Sequence, residues 1–243
     1  LDFVEASNID LMKESAHWWI RTRFKYVDLA LENINSNEIK VLEVGCGTGQ
    51  NLSYLRNESI HKERISQLVG IDLNLPENFK RPDLGDRDQL LSSPNNLEKD
   101  YDLLLLMDVI EHVEDPVGLI NSYKGFLKKE GRILITVPAF QSLWSQHDVI
   151  LEHVKRYDLD LLNEETALCH LKPRFTGYIF ALFFPIVFIL RKLLPDNKKV
   201  ETDLKLPNPL INGLCLFLGT LERKMGNPLP FGTSVVGVYE LSE

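Results

Sequence analysis

The chain lacks most features that would mark a secreted, membrane-spanning or nucleic-acid-binding protein. Its 243 residues hold three cysteines, Cys46, Cys169 and Cys215. They are odd in number and widely scattered, so neither a disulfide framework nor a zinc knuckle is expected. A reducing, cytoplasmic setting fits this usage best. The opening stretch "LDFVEASNIDLMKES" has no basic segment leading into an apolar run, so no signal peptide is expected. Positive charge is scarce. Twenty-seven Lys and Arg against 35 Asp and Glu leave a net charge of −8, which argues against a general nucleic-acid partner. The thirteen-residue apolar run at 178–190 is broken by Pro185. As a helix it would span about 20 Å against a bilayer core of about 30 Å, too short for a single pass. Internal repeats and low-complexity tracts are absent as well.

Apolar residues are plentiful at 44% of the chain, enough for a packed core. Residues 14–34 repeat an apolar face through Ile20, Phe24, Val27, Leu31 and Ile34, which predicts a helix. Short runs that are apolar throughout, at 40–45, 66–74, 101–108 and 132–138, predict strands buried on both faces. Helical patterns separate them, among them residues 117–131 closed by a glycine. A further short strand is expected before Gly85-Asp86. Strands of this kind alternating with helices predict a doubly wound, mostly parallel α/β sheet with helices on both faces. In such sheets a ligand crevice lies beyond the carboxyl ends of the strands.

The stretch "VLEVGCGTGQN" (41–51) meets that crevice. A side-chain-free loop between strand and helix lets backbone N–H groups approach a ligand, and the helix N-terminus favours an anionic group. A phosphate-binding P-loop needs Lys and Ser or Thr after its last glycine, whereas Gln50 and Asn51 follow Gly49. A dinucleotide loop needs G-x-G-x-x-G, and the spacing here is one residue short. S-adenosylmethionine is the third reading, with Glu43 near its ammonium and the loop amides near its carboxylate. Asp72, at the end of the second strand, can accept both hydroxyls of a ribose, as nicotinamide and adenosylmethionine sites both require. A nicotinamide enzyme therefore stays open at this point.

Together, "VLEVGCGTGQN", "GIDL", "GD" and "LLLLMDVIEHVEDP" resemble the class I S-adenosylmethionine-dependent methyltransferases, closest to the branch of quinone-type and small-molecule O- and C-methyltransferases. The resemblance covers about residues 38–140. It implies a seven-stranded Rossmann-like sheet with a last antiparallel strand, which "SVVGVYEL" (234–241) fits. It implies S-adenosylmethionine as cofactor and S-adenosylhomocysteine as product. Glu43, Gly45, Cys46, Gly47 and Gly49 would surround the methionine part. Asp72 and Leu73 would meet the ribose, Asp86 the adenine, and Met107 and Asp108 would lie along the cofactor. The chain then divides into lid helices (1–37), a cofactor-binding core (38–140), an acceptor-site wall (141–174) and an apolar helical insertion (185–225) before the last strand.

Methyl transfer asks mainly for alignment and for removal of a proton. His112, just past the fourth strand, and His147 are the candidate bases, since imidazole titrates near neutral pH. The block 140–162 supplies Trp144, His147, His153, Arg156 and Tyr157 as candidate acceptor contacts. It resembles a group of bacterial methyltransferase-like proteins with this His-x-x-Arg-Tyr pattern. Trp18 or Trp19, with Arg21 or Arg23, is the candidate contribution of the N-terminal helix. His147 and His153 lack the i, i+4 spacing of a helical metal pair, and no cysteine is close. No metal is expected, although a carboxylate–histidine site for a divalent ion stays open. Residues 175–184 read as the sixth strand and 185–194 as a helix, and 208–225 read as a second helix with Leu210, Leu214, Phe217, Leu221 and Met225 on one face. Residues 185–225 carry a net charge of +3 against −11 elsewhere. Basic, apolar helices suit a membrane surface or a lipid-like acceptor; a homodimer face or a cap on the sheet are the alternatives. A cofactor-binding scaffold without catalysis is the second functional reading.

Overall fold

The computed structural model describes residues 16–76, 79–95, 97–193, 207–224 and 229–242. The expected lid residues 1–15, residues 194–206 of the insertion, and Met225 lie outside them. Seven strands form one sheet: β1 (Ile39–Val44), β2 (Ile65–Ile71), β3 (Gln89–Leu91), β4 (Tyr101–Met107), β5 (Leu127–Pro138), β6 (Leu171–Ile179) and β7 (Ser234–Leu241). Their order is β3-β2-β1-β4-β5-β7-β6. The first five run parallel, and β7 lies antiparallel between β5 and β6.

The apolar-throughout strands are explained by two covered faces. All seven residues of β4 are buried. Because successive side chains alternate, Leu104 and Leu106 enter one core, and Leu103, Leu105 and Met107 the other. On the second face lie α1 (Trp18–Leu31) and α2 (Gln50–Asn57), through Val27, Leu31, Leu52 and Leu55. On the first lie α3 (Pro116–Lys124) and, beyond the short α4 (Gln146–Ile150), α5 (Leu159–Leu168), through Ile120 and Leu162. Each fully buried leucine contributes about 1.5–3 kcal/mol. Leu105→Ala is accordingly expected to lower the unfolding free energy by about 2–5 kcal/mol in urea denaturation.

Three boundaries differ from the sequence expectation. The helix read at 117–131 stops at Lys124, capped by Gly125, because the Phe126 carbonyl accepts from Tyr101 N–H and Leu127 pairs with Tyr101 in the sheet. The sixth strand ends at Ile179 and not at 184, since a 3-10 turn at Ala181–Phe183 intervenes. The third strand follows Gly85-Asp86 and does not precede it.

The insertion between β6 and β7 forms α6 (Phe184–Leu193) and α7 (Pro209–Lys224). α7 docks on α1. Asn212 bridges the Trp18 N–H and the Ala16 carbonyl at 2.9 and 2.8 Å, and Lys25 Nζ donates to Thr220 at 2.6 Å. At Gly219 a Cβ would come within 2.7 Å of the Thr22 side chain, so the α7 backbone packs directly on that side chain of α1. The apolar face read from the sequence points the other way. Leu210, Leu214, Phe217 and Leu221 are exposed, as are Ile186, Phe188 and Ile189 on α6. No described helix is long and apolar enough to cross a membrane.

Candidate functional site

The glycine loop joins β1 to α2 in a conformation that L side chains resist. Gly45, Gly47 and Gly49 all take positive φ, at 69°, 52° and 79°. At Gly45 a Cβ would also meet Val109 Cγ2 at 2.6 Å. Gly45→Ala is therefore expected to cost about 1–3 kcal/mol of stability by urea denaturation, from the left-handed backbone and the clash together. The Gly45 and Cys46 amides donate to the Ile71 carbonyl at 2.8 and 3.0 Å. They tie the loop to the end of β2, next to Asp72.

Asp72 organises that corner. One carboxylate oxygen accepts from Gly47 N–H at 2.8 Å and the other from Asn74 N–H at 2.9 Å. A carboxylate has about four acceptor positions, so both oxygens retain capacity for a diol. Leu73 beside it is 76% exposed and offers an apolar face to a flat ring. The Asp72 amide donates to Leu91 at the end of β3, which makes Ser92 and Ser93 the residues that leave β3 beside this corner. Asp86 is a correction. It is exposed and precedes β3, so it lies at the opposite end of the strands from the crevice. The misplaced strand carried Asp86 with it, and Ser92–Ser93 were missed for the same reason.

Glu43 is 1% exposed, and one of its oxygens accepts from Asn51 at 2.5 Å. The other has no partner, nor has Gln50 Nε2. Burial pushes the Glu43 carboxyl up to about 7. Burial also raises the Cys46 thiol well above its ordinary range, which suits packing and not nucleophilic chemistry. A buried carboxylate with a vacant acceptor, beside an amide with vacant donors, fits an amino-acid zwitterion. Arg23 completes this corner. It pairs with Asp108 at 2.6 Å, donates to Thr136 at 2.9 Å and stacks on Trp19 at 4.2 Å, while its Nε has no partner. Arg21, the alternative, instead pairs with Glu58 on the surface. Ile20, Arg23, Gly45, Cys46, Gln50, Asn51 and Met107 enclose about 10 Å³ of free space here, room for about one water.

A larger cavity of about 400 Å³ opens next to it. Trp18, Phe183, Ile186 and Val187 supply apolar wall, and Asp108, Glu111, His112, His147, His153 and Arg191 supply polar groups. Trp18 is stacked on Phe183 at 4.4 Å, which joins the N-terminal helix to the insertion across the cavity. Two expected acceptor contacts fall outside. Trp144 does not line the cavity. Tyr157 is fully buried, and its hydroxyl donates to Glu165 at 3.1 Å; burial holds the phenol far above its usual range. Arg156 reaches the wall, but its guanidinium is spent on Asp148, at 2.7 and 3.1 Å, and on the Ala139 carbonyl at 2.9 Å. Burial opposes ionisation of Asp148, yet hydrogen bonds from His153 and Arg156 hold its carboxyl well below the usual range.

A family model described as a methyltransferase domain matches residues 16–173. The mitochondrial ubiquinone biosynthesis O-methyltransferase of Dictyostelium discoideum is 28% identical over 128 residues, 45% of this chain and 37% of that protein. The protein-lysine N-methyltransferase EFM2 of Saccharomyces cerevisiae is 26% identical over 151 residues, 55% of this chain and 36% of that protein. The chain thus spans little more than a third of these curated relatives. Among solved structures, a phosphoethanolamine N-methyltransferase of Haemonchus contortus, in complex with S-adenosylmethionine, superposes with a TM-score of 0.58 at 15% identity, covering 99% of this chain and 59% of that one. A Burkholderia thailandensis 1,6-didemethyltoxoflavin N1-methyltransferase with bound S-adenosylhomocysteine gives 0.54 at 13% identity, covering 90% and 78%. At these identities the likeness is one of fold.

Proposed function

The chain belongs to the methyltransferase domain family, and from that premise we propose that it transfers a methyl group from S-adenosylmethionine to a hydroxyl of a small apolar or lipid-like acceptor. Bound there, the cofactor supplies a methyl on a sulfonium, and the rest of the work falls to this chain. Glu43 takes the ammonium, and Gln50 and Arg23 take the carboxylate. The Gly45, Cys46, Gly47 and Gly49 amides, expected from the sequence to do so, are instead engaged by Ile71, Asp72 and the loop itself. Asp72 takes the ribose hydroxyls, and Leu73 with Ser92–Ser93 borders the adenine. Ile20 and Arg23 close over this corner from α1, so α1 must shift to admit the methionine end into so small a space. The acceptor lies in the larger cavity, its apolar body against Trp18, Phe183 and Ile186. Its proton passes to His112 or His147 as the oxygen attacks. The observation that carries this reading is the adjacency of the two spaces. Asp108 lines the larger one and pairs with Arg23, which lines the smaller.

The exposed apolar faces of α6 and α7, with the basic excess of 185–225, support loading of the acceptor from a membrane surface. A panel assay of methyl release tests the proposal, offering hydroxylated lipids, soluble phenols and a lysine-rich peptide. Turnover is expected with the first group, and Ile186→Arg, at the cavity wall, is expected to raise KM at least tenfold with little change in cofactor affinity. Turnover on the peptide alone would contradict it.

A further inference from the structure

Within the wall of the larger cavity stands a group that methyl transfer does not need and that burial makes costly. Glu111 is fully buried, and neither of its carboxylate oxygens has a hydrogen-bond partner. Such a group in a folded interior calls for a proton or a cation. The nearby guanidinium of Arg23 is engaged by Asp108 and Thr136. What does face Glu111 is a pair of imidazoles. One donor atom each of Glu111, His112 and His153 lie within 4.8 Å of one another. The two rings meet edge to face, with centroids 4.7 Å apart.

The backbone is built to hold this cluster. Glu111 and His112 sit on the 3-10 turn Ile110–His112 that follows β4. His153 comes from the far wall, and Val154 N–H donates to the Glu111 carbonyl at 2.7 Å, which staples the two segments together at the cluster. Glu152 takes φ 56° to deliver the turn, a conformation uncommon for a non-glycine residue. His153 Nδ1 lies 2.9 Å from Asp148 Oδ1. A proton on Nδ1, shared with that carboxylate, would leave Nε2 as the ligand atom. A carboxylate behind a ligating histidine is the usual second layer of a metal site.

We propose that Glu111, His112 and His153 hold a divalent transition-metal ion of the zinc type on the wall of the acceptor cavity. Two imidazoles and a carboxylate suit zinc or a similar ion and leave a coordination position open. Magnesium and calcium prefer all-oxygen sites. Donors bound at about 2.1 Å lie at most about 4.2 Å apart. The side chain of His112 is exposed to the cavity, and the present spacing of up to 4.8 Å would have to close by about half an ångström. The open position faces the cavity, where it can take the acceptor oxygen and lower the pKa of its hydroxyl. This role rests on the proposed function; the binding of the ion does not. With His112 on the metal, His147 is the imidazole left to receive the proton.

The test is calorimetric titration of the full chain with Zn²⁺ and, separately, Mg²⁺, together with metal content after dialysis. One Zn²⁺ per chain is expected, with weak or no heat from Mg²⁺. Glu111→Gln and His153→Ala should each weaken Zn²⁺ at least about 100-fold, and Asp148→Asn about 10- to 100-fold. Where His153→Ala fails to fold, His112→Ala, at an exposed side chain, carries the same expectation. Unchanged Zn²⁺ affinity in Glu111→Gln and His112→Ala overturns the proposed site, and methyl transfer that survives complete removal of metal overturns the role given to the ion. If Zn²⁺ binds and the variants lose it while no acceptor is ever methylated, the metal site stands and the reaction reading falls.

Discussion

Asp72→Ala is expected to weaken S-adenosylmethionine binding at least 100-fold by calorimetric titration. Two effects act together. The variant removes the acceptor proposed for both ribose hydroxyls, and hydrogen bonds to a charged group are worth about 1.5–3 kcal/mol each. It also releases the Gly47 and Asn74 amides, which Asp72 now holds at 2.8 and 2.9 Å, so the loop loses one of its ties to the end of β2. Asp86→Ala is the control. Asp86 is exposed at the other end of the strands, and its removal should leave affinity unchanged. Equal affinity in Asp72→Ala and the parent chain would show that the cofactor lies elsewhere.

The second large effect concerns Glu43, whose carboxyl is raised by burial from 4.5 to about 7. A carboxyl whose folded pKa lies above its unfolded value stabilises the fold fully only below pH 4.5, and this contribution is lost as pH rises through about 7. At pH 8 the ionised, buried Glu43 therefore costs up to about 3 kcal/mol. Glu43→Gln should recover much of that, and thermal unfolding at pH 8 should move upward. The same substitution removes the charge proposed for the ammonium and should weaken S-adenosylmethionine about 10- to 100-fold. In the parent chain that affinity should rise with pH, by up to tenfold per unit between about 5 and 7; in Glu43→Gln this slope should vanish. A site residue that destabilises the empty fold and strengthens ligand binding is the signature sought. Loss of both stability and binding would mark Glu43 as structural.

The parts of this fold that could be read from sequence are those where one local rule acts without competition. β4 is apolar because both faces are covered, and the glycine loop is glycine because its backbone is left-handed. Asp72 was legible because it ends a strand whose length is clear. Asp86 was misjudged because β3 has three residues and its side chains are half-exposed, so no apolar run announces it. Tyr157 and Arg156 looked like acceptor contacts because aromatic and cationic residues near a cleft resemble a binding surface. Only the structure shows one inside the core and the other committed to Asp148. Glu111 stands beside His112 in the sequence. Its lack of partners, and the approach of His153 from a segment some forty residues on, depend on tertiary contacts that no local spacing encodes. The insertion gave the opposite surprise. Its apolar stripe was plain in sequence, but the fold turns that stripe outward and docks α7 on α1 through polar residues and Gly219.

The central claim is that the glycine-loop cleft binds the methyl donor, and titration of the full chain with S-adenosylmethionine tests it most directly. One site per chain is expected, competed by S-adenosylhomocysteine, with no heat from NADH under the same conditions. Saturable binding of NADH, with none of S-adenosylmethionine, would contradict the account.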